Sequence, residues 1–361
     1  RVPEAMDGIA QMDDPIEPGE SFTYEYVVKD AGFYWYHPHM ETAETIEAGL
    51  IGVIVARAPD EVAPACEVPL ALDDILLDRE GQIEPPGTDM DQVMGRLGDT
   101  LLVNGRADRV IEVPAGGQVV LRMVATSNAR HFDLGFEGLG LQLLGTDGGY
   151  LPDARALDRV RLAPGERAIV SFQAPADPGA ELVLMNRRVQ LHEEDADETA
   201  MHEIDPMGDE DHAILRFVTI DADPGAPWVA PAFDPPVAVT EGAPAHTWVL
   251  EEDMMAGVLT IDGAEWPDVP MVMFDGGAPT TLVIDNRSEM RHPFHTHGNR
   301  YIVTSIGGAT VADRAWKDTF DVPPRTAVTV VSELDNPGMW MYHCHILEHA
   351  DRGMAGMMVV R

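Results

Sequence analysis

Residues 342–349 read Tyr-His-Cys-His-Ile-Leu-Glu-His, and Met354 follows soon after. In an extended strand, alternate side chains point to opposite faces, and residues i and i+2 stand roughly 6.5–7 Å apart on the same one. His343 and His345 therefore share one face, and Cys344 between them points to the other. One such strand touches two different sites, back to back. His349 and Met354 lie close enough in sequence to join Cys344 on its side.

Two further histidine clusters extend the pattern. They are His37-Pro-His39 and His292-Pro-Phe-His295-Thr-His297. With His343, His345 and His349 they hold eight of the chain's 13 histidines. Histidine is the commonest metal ligand. Paired imidazoles from His37/His39 and His343/His345, facing each other, make a cage for more than one ion. On the other side, two histidines (His292 and His349), the Cys344 thiolate and a weak axial Met354 form the ligand set of a blue-copper electron-transfer centre. The thiolate must lose its proton to bind, and a metal makes that possible near neutral pH. A structural zinc site is closed with four ligands, which does not fit this set. With Cys344 committed to a metal, Cys66 is expected as a free thiol buried in a core.

Composition sets the frame. The chain has 361 residues, 62 acidic and 24 basic, for a formal net charge of −38. That charge excludes an electrostatic nucleic-acid binder and disfavours docking on anionic lipid. No apolar run reaches membrane-spanning length. Its 33 glycines and 28 prolines point to many turns and an all-β chain. Alternating or apolar β-prone runs predict strands at 21–29, 32–39 and 49–56, then at 68–77, 100–103, 109–113, 117–124, 167–173, 181–186 and 213–220. Further strands are expected near 246–250, 280–285, 300–305, 327–333, 338–343 and 354–360, with no long helix. This spacing is that of β-sandwiches. Pro59 and Pro64 mark one boundary, and the stretch 222–245, with six prolines, marks a second. The expected domains are 1–59, 60–225 and 226–361. His192 to His212 carries ten acids and no base. It reads as a solvated loop held open by like charge, with an accessory copper-capture loop through Met201, His202 and Met207 as the alternative.

These motifs resemble those of bacterial three-domain multicopper oxidases, the laccase and cuprous-oxidase group. Gly32-Phe-Tyr-Trp-Tyr-His-Pro-His39, His292-Pro-Phe-His-Thr-His-Gly298 and Tyr342–His349 match three of that family's four copper motifs. Trp316-Lys-Asp-Thr319 and Gly49-Leu-Ile-Gly52 are also similar, and the resemblance runs along essentially the whole chain. It implies tandem cupredoxin-like Greek-key β-sandwiches, three domains with the first truncated. It further implies a type 1 copper on His292, Cys344, His349 and Met354, a type 2 copper on His295, and a type 3 pair on His37, His39, His297, His343 and His345. The middle domain carries no copper motif, so His131 and His246 are expected to be structural. The family's fourth motif, His-x-His-Gly, would fall ahead of Arg1. The expectation is that this chain, as it stands, loads type 1 copper and lacks two ligands of the trinuclear cluster.

The activity implied is one-electron oxidation of a reductant at type 1 copper, coupled through Cys344 to His343 or His345 and to reduction of O2 to water. Asp7 matches a family acid near the type 2 copper and is expected to relay protons. The acid that commonly follows the last type 1 histidine is replaced by Ala350; Glu348, beside it, is expected to point elsewhere. Phenols or aromatic amines are one substrate class. Cu(I) is the other, held by Met290, Glu289, Met254 and Met255. Ten of 19 methionines lie after residue 226, most of them as core filler. A non-catalytic copper-binding cupredoxin and a copper nitrite reductase-like enzyme stand as alternatives; the latter lacks histidines on both sides of its cysteine. The family implies a periplasmic or extracellular location. Oligomeric state is left open.

Overall fold

A computed structural model describes residues 1–9, 15–84, 89–192, 205–231, 241–311 and 314–361. The chain is all-β with short helices only. An antiparallel ribbon pairs Gly32–Tyr36 with Gly52–Ala56. Two sheets follow between residues 66 and 220, one of six strands and one of five. They enclose a core of Leu70, Leu121, Phe132, Phe172 and Phe217. Two more sheets lie between residues 246 and 360, around Trp248, Phe294, Trp340, Tyr342 and Cys344. Each sandwich contains parallel neighbours, such as His246–Asp253 beside Thr280–Asn286 and Cys66–Ile75 beside Gln118–Ala125. Such pairs arise when the chain crosses between sheets, as in a Greek key, rather than turning in hairpins.

The strand Gly338–Cys344 lies mid-sheet between Ala355–Val360 and His292–Thr296. Register places Cys344 opposite Phe294 and His343 opposite His295. Trp340, Tyr342 and Cys344 point inward and are fully buried. Met339, Met341 and His343 therefore face the other way, where Met341 and Met357 pack against Ile9. The alternation expected from the sequence is thus realised in a strand covered on both faces.

Three sequence expectations need correction. Ser21–Lys29 is not a strand. Its alternation is real, but no strand pairs with it among the described residues, and Phe22, Tyr24, Val27 and Val28 stand exposed. The strand expected to 39 ends at Tyr36, because Pro38 has no N–H to offer a ladder. Strands at Phe132–Gly135, Leu141–Thr146, Gly149–Leu157 and His292–Thr296 were not expected, since prolines and glycines interrupt their patterns. Most of the acidic stretch, residues 193–204 with Met201 and His202, lies outside the described residues. Among the described residues no helix is long and apolar enough to cross a membrane.

Candidate metal centres

The inner face of the sheet gathers a thiol and two imidazoles. Cys344 Sγ lies 3.5 Å from His292 Nδ1 and 3.6 Å from His349 Nδ1. All three residues are fully buried. The far nitrogens are anchored: His292 Nε2 donates to Ser288 Oγ at 2.8 Å, and His349 Nε2 donates to the Val93 carbonyl at 2.8 Å. Each anchor fixes the tautomer, so the Nδ1 lone pairs face the sulfur. His349 sits in the short helix Leu347–Asp351, whose chain returns so that the Cys344 N–H donates to the Met354 carbonyl at 3.0 Å. Met354 itself is fully buried in the same core.

The outer face gathers six imidazoles, with the opposite nitrogen presented. His343 Nδ1 donates to the Cys344 carbonyl at 2.7 Å, and His37 Nδ1 to the Pro38 carbonyl at 2.9 Å. His295 Nδ1 is held by the Asp318 carbonyl at 3.0 Å and Thr319 Oγ1 at 2.9 Å. His297 Nδ1 donates to Asp7 Oδ2 at 2.7 Å. These anchors turn Nε2 toward a common centre, where His297 and His343 bring theirs to 3.4 Å. Ring centroids separate His37 from His39 by 4.7 Å, His39 from His297 by 5.0 Å, His295 from His343 by 5.3 Å and His37 from His345 by 5.8 Å. His39, His297 and His343 offer one ligand atom each, all within 4.8 Å of one another; so do His292, Cys344 and His349. Trp35 covers His37 and His345, its ring centroid 4.5 and 5.5 Å from theirs.

Electrostatics suit ligation. Burial pushes His37 and His349 down to about 4 and holds His39, His292, His343 and His345 well below the ordinary imidazole value. These rings are neutral at pH 7, as ligands must be. Burial also pushes the Cys344 thiol up, a penalty that a bound cation reverses. His297 is the exception: burial opposes its charge, yet the adjacent Asp7 holds it above the usual range. His39 Nε2 and His345 Nδ1 are buried with no hydrogen-bond partner. Neutral imidazoles, a soft thiol and orphaned nitrogens fit copper.

Other expected residues lie elsewhere. Met290 is fully buried, Met255 is 90% exposed, and Glu289 pairs with Arg325 at the surface. Met254 is half-buried, and the Glu289 N–H donates to Glu252 Oε1 at 2.7 Å, which brings the 251–255 and 288–290 segments together. Met290 packs in the same core as Cys344 and Met354. Glu348 turns toward the middle sandwich, where Asn128 Nδ2 donates to it at 2.7 Å, and burial raises its carboxyl to about 7. His131 meets Asp321 at 3.4 Å and His246 meets Asp262 at 3.1 Å. Cys66 is a half-buried free thiol beside the middle core. Sequence reasoning missed Gly165 and Arg167 of the middle sandwich. A Cβ on Gly165 would lie 2.6 Å from His345 Cδ2, and only the Pro164-Gly-Glu-Arg167 turn hints at that closeness.

Comparison with known proteins points to one family. Family models described as multicopper oxidase match residues 1–61 and 239–361. The chain is 26% identical to the multicopper oxidase mco of Staphylococcus aureus, over 96% of this chain and 72% of that one. It is 30% identical to the cell division protein FtsP of Yersinia pestis, over 98% of this chain and 75% of that one. The solved multicopper oxidase of Campylobacter jejuni superposes with a TM-score of 0.81 at 26% identity, covering 99% of this chain and 78% of that one. A chain whose end segments both match that family, and whose fold and copper-suited donor sets follow it, belongs to the multicopper oxidases.

Proposed function

We propose that this chain carries the working parts of an oxidase that takes electrons from a small reductant on the Cys344 side of the sheet and passes them to O2 on the histidine side. One observation carries the reading: Cys344 faces His292 and His349, while His343, its immediate neighbour, faces His295 and His297. The two donor sets are a single residue apart. On this reading His292, Cys344, His349 and Met354 hold type 1 copper. His295 holds type 2, and His37, His39, His297, His343 and His345 hold the type 3 pair. Copper supplies one-electron redox steps at the first set and dioxygen reduction at the second.

The chain's own groups do the rest. Backbone carbonyls and Ser288 orient the rings before any metal arrives, so little ordering is left to binding. Trp35 packs against His37 and His345 and holds those two rings together. Asp7 holds the Nδ1 proton of His297, which makes it the acid best seated to pass protons on that side. Glu348, engaged with Asn128, is not a substitute for the family acid at Ala350. His349 ties the type 1 side to the Val93 segment, and phenols or aromatic amines are the electron donors proposed for that side. Cu(I) is a second donor class, since the Campylobacter jejuni relative is described as a metallo-oxidase, and Met290, Glu289, Met254 and Met255 are the residues proposed to meet it. The same reading carries a periplasmic or extracellular working place.

A non-catalytic copper protein is the second reading, favoured by likeness to a cell division protein. Purified chain loaded with copper decides between them by metal count, blue charge-transfer absorbance and oxygen uptake with dimethoxyphenol or Cu(I) as donor. Blue colour is the expected result, and donor-dependent uptake beside it would show that the six imidazoles present suffice for O2 reduction. Blue colour with no copper retained on the histidine side supports the second reading, and absence of blue colour overturns the assignment of Cys344.

A further inference from the structure

The middle sandwich supplies none of the candidate ligands, yet it reaches the oxygen side. Its Glu166-Arg167 dipeptide meets Lys317-Asp318 of the last sandwich in a crossed pairing of charges. Lys317 Nζ lies 3.0 Å from Glu166 Oε1 and 2.9 Å from Asp147 Oδ2. Arg167 grips Asp318 with both ends of its guanidinium, Nη1 to Oδ1 at 2.7 Å and Nη2 to Oδ2 at 2.6 Å. The rest of the fork is spoken for. Nη1 donates to the Gly165 carbonyl at 3.0 Å, Nη2 to the Asp147 carbonyl at 3.0 Å, and Nε to the Phe33 carbonyl of the first ribbon at 3.4 Å. Arg167 is buried, and all three parts of the chain converge on it.

Asp318 passes this order to a candidate ligand. Its carbonyl accepts the His295 Nδ1–H at 3.0 Å and the Thr296 N–H at 3.0 Å. Its carboxylate accepts from Thr319 Oγ1 at 2.8 Å, and that hydroxyl oxygen also meets His295 Nδ1 at 2.9 Å. On the other side of the same turn, Gly165 (φ +83°) lies flat against the His345 ring, with no room for a Cβ. A bidentate guanidinium–carboxylate pair is geometrically specific in a way that a point charge is not.

We propose that Arg167 is a positioning residue for the oxygen side: by locking Asp318 it fixes the ring of His295, so the middle sandwich sets the geometry of a site to which it gives no ligand. The inference rests on reading His295 as a copper ligand, but its first test needs no copper. In metal-free protein labelled with 15N-histidine, the His295 Nδ1–H is expected to exchange slowly with solvent. Arg167→Met should speed that exchange at least about tenfold, the usual weight of a charge-assisted hydrogen bond. The His292 Nε2–H, held by Ser288 on the opposite face, should not change. Arg167→Lys, which keeps charge but loses the fork, should fall between. A folded Arg167→Met protein with unchanged His295 exchange overturns the proposal, as does equal loosening of His292. Should Arg167→Met fail to fold, Asp318→Asn removes the ion pair while leaving the backbone carbonyl, and the same two outcomes decide. In copper-loaded protein, the type 2 electron paramagnetic resonance signal should weaken while blue absorbance persists. Absence of a type 2 signal from the unmodified chain would count against His295 as a copper ligand, while the metal-free comparison would still judge the clamp.

Discussion

Raising the pH from about 6 to about 8 is expected to tighten Cu(II) binding at the Cys344 site roughly a hundredfold. The number follows from which groups carry protons in the metal-free protein. Burial pushes the Cys344 thiol up, so it is protonated throughout this range. Burial pushes His349 down to about 4 and His292 well below its ordinary value, so both rings are already neutral. Binding one ion therefore releases one proton, from sulfur. One proton gives a tenfold change per pH unit, about 1.4 kcal/mol, and about 2.7 kcal/mol over two units. The assay is competition against a chelator of known pH dependence, read by the blue absorbance. Below about pH 4 the slope should steepen as His349 takes up its own proton. Two results would refute the reasoning. A flat profile means that sulfur is not the proton source, and a roughly thousandfold change per unit near pH 7 means that the imidazoles are charged in the resting protein. Cys344→Ser should abolish the blue band.

Metal-free protein should lose stability on acidification, because His349 and His37 titrate near 4 when folded against 6.5 when exposed, so the unfolded chain takes up protons first. Stability is full above about pH 6.5 and falls as pH drops through 4; at about pH 5 each ring costs about 2 kcal/mol, so His349→Gln should be about 2 kcal/mol less acid-sensitive in urea titrations, and equal sensitivity would count against a buried neutral ring. Gly298→Ala places a Cβ against the Trp340 ring at φ +70°, and should destabilise by about 2–4 kcal/mol in thermal melts; an unchanged melting temperature would show that the turn can relax. Asp7→Asn should slow oxygen uptake roughly a hundredfold while leaving anaerobic bleaching of the blue colour by reductant intact, and equal loss of both would remove Asp7 from proton delivery.

How far the sequence carries depends on the range of the interaction being read. Alternation along Gly338–Cys344 is local, so the opposite aims of Cys344 and His343 were legible from residue spacing alone. The neighbour strand His292–Thr296 was not legible as a strand, because Pro293 and three polar residues hide its period. Its role emerges only from register, Phe294 against Cys344 and His295 against His343. Ser21–Lys29 fails for the converse reason: its pattern is strand-like, but pattern cannot supply a hydrogen-bonding neighbour. Met290 was read from its closeness to His292, and the two are indeed buried together, but spacing cannot tell a packed core methionine from one that meets a ligand. Arg167 and Gly165 act across a sandwich boundary, and no periodicity reports such a contact.

What the structure adds most is the choice of nitrogen. On the inner face the anchors hold Nε2 and leave Nδ1 toward sulfur; on the outer face they hold Nδ1 and leave Nε2 toward the centre. The difference follows from what each ring can reach. His37, His295 and His343 lie next to main-chain carbonyls at the distance that Nδ1 spans, and His297 meets the Asp7 carboxylate in the same way. The inner rings lie across the core from Ser288 and Val93, at the greater reach of Nε2. Both faces are therefore organised before metal binds. The exceptions are His39 Nε2 and His345 Nδ1, each buried without a partner at a penalty of about 1–3 kcal/mol. A cation in the histidine cage would relieve the orphaned nitrogen of His39, and thus add to the stability of the fold as well as to its chemistry. Chelation should then lower the melting temperature of loaded protein, and the shift should shrink when His39 is replaced by alanine. A His39→Ala protein that gains as much from copper as the unmodified chain would break the link between the orphaned nitrogen and the metal.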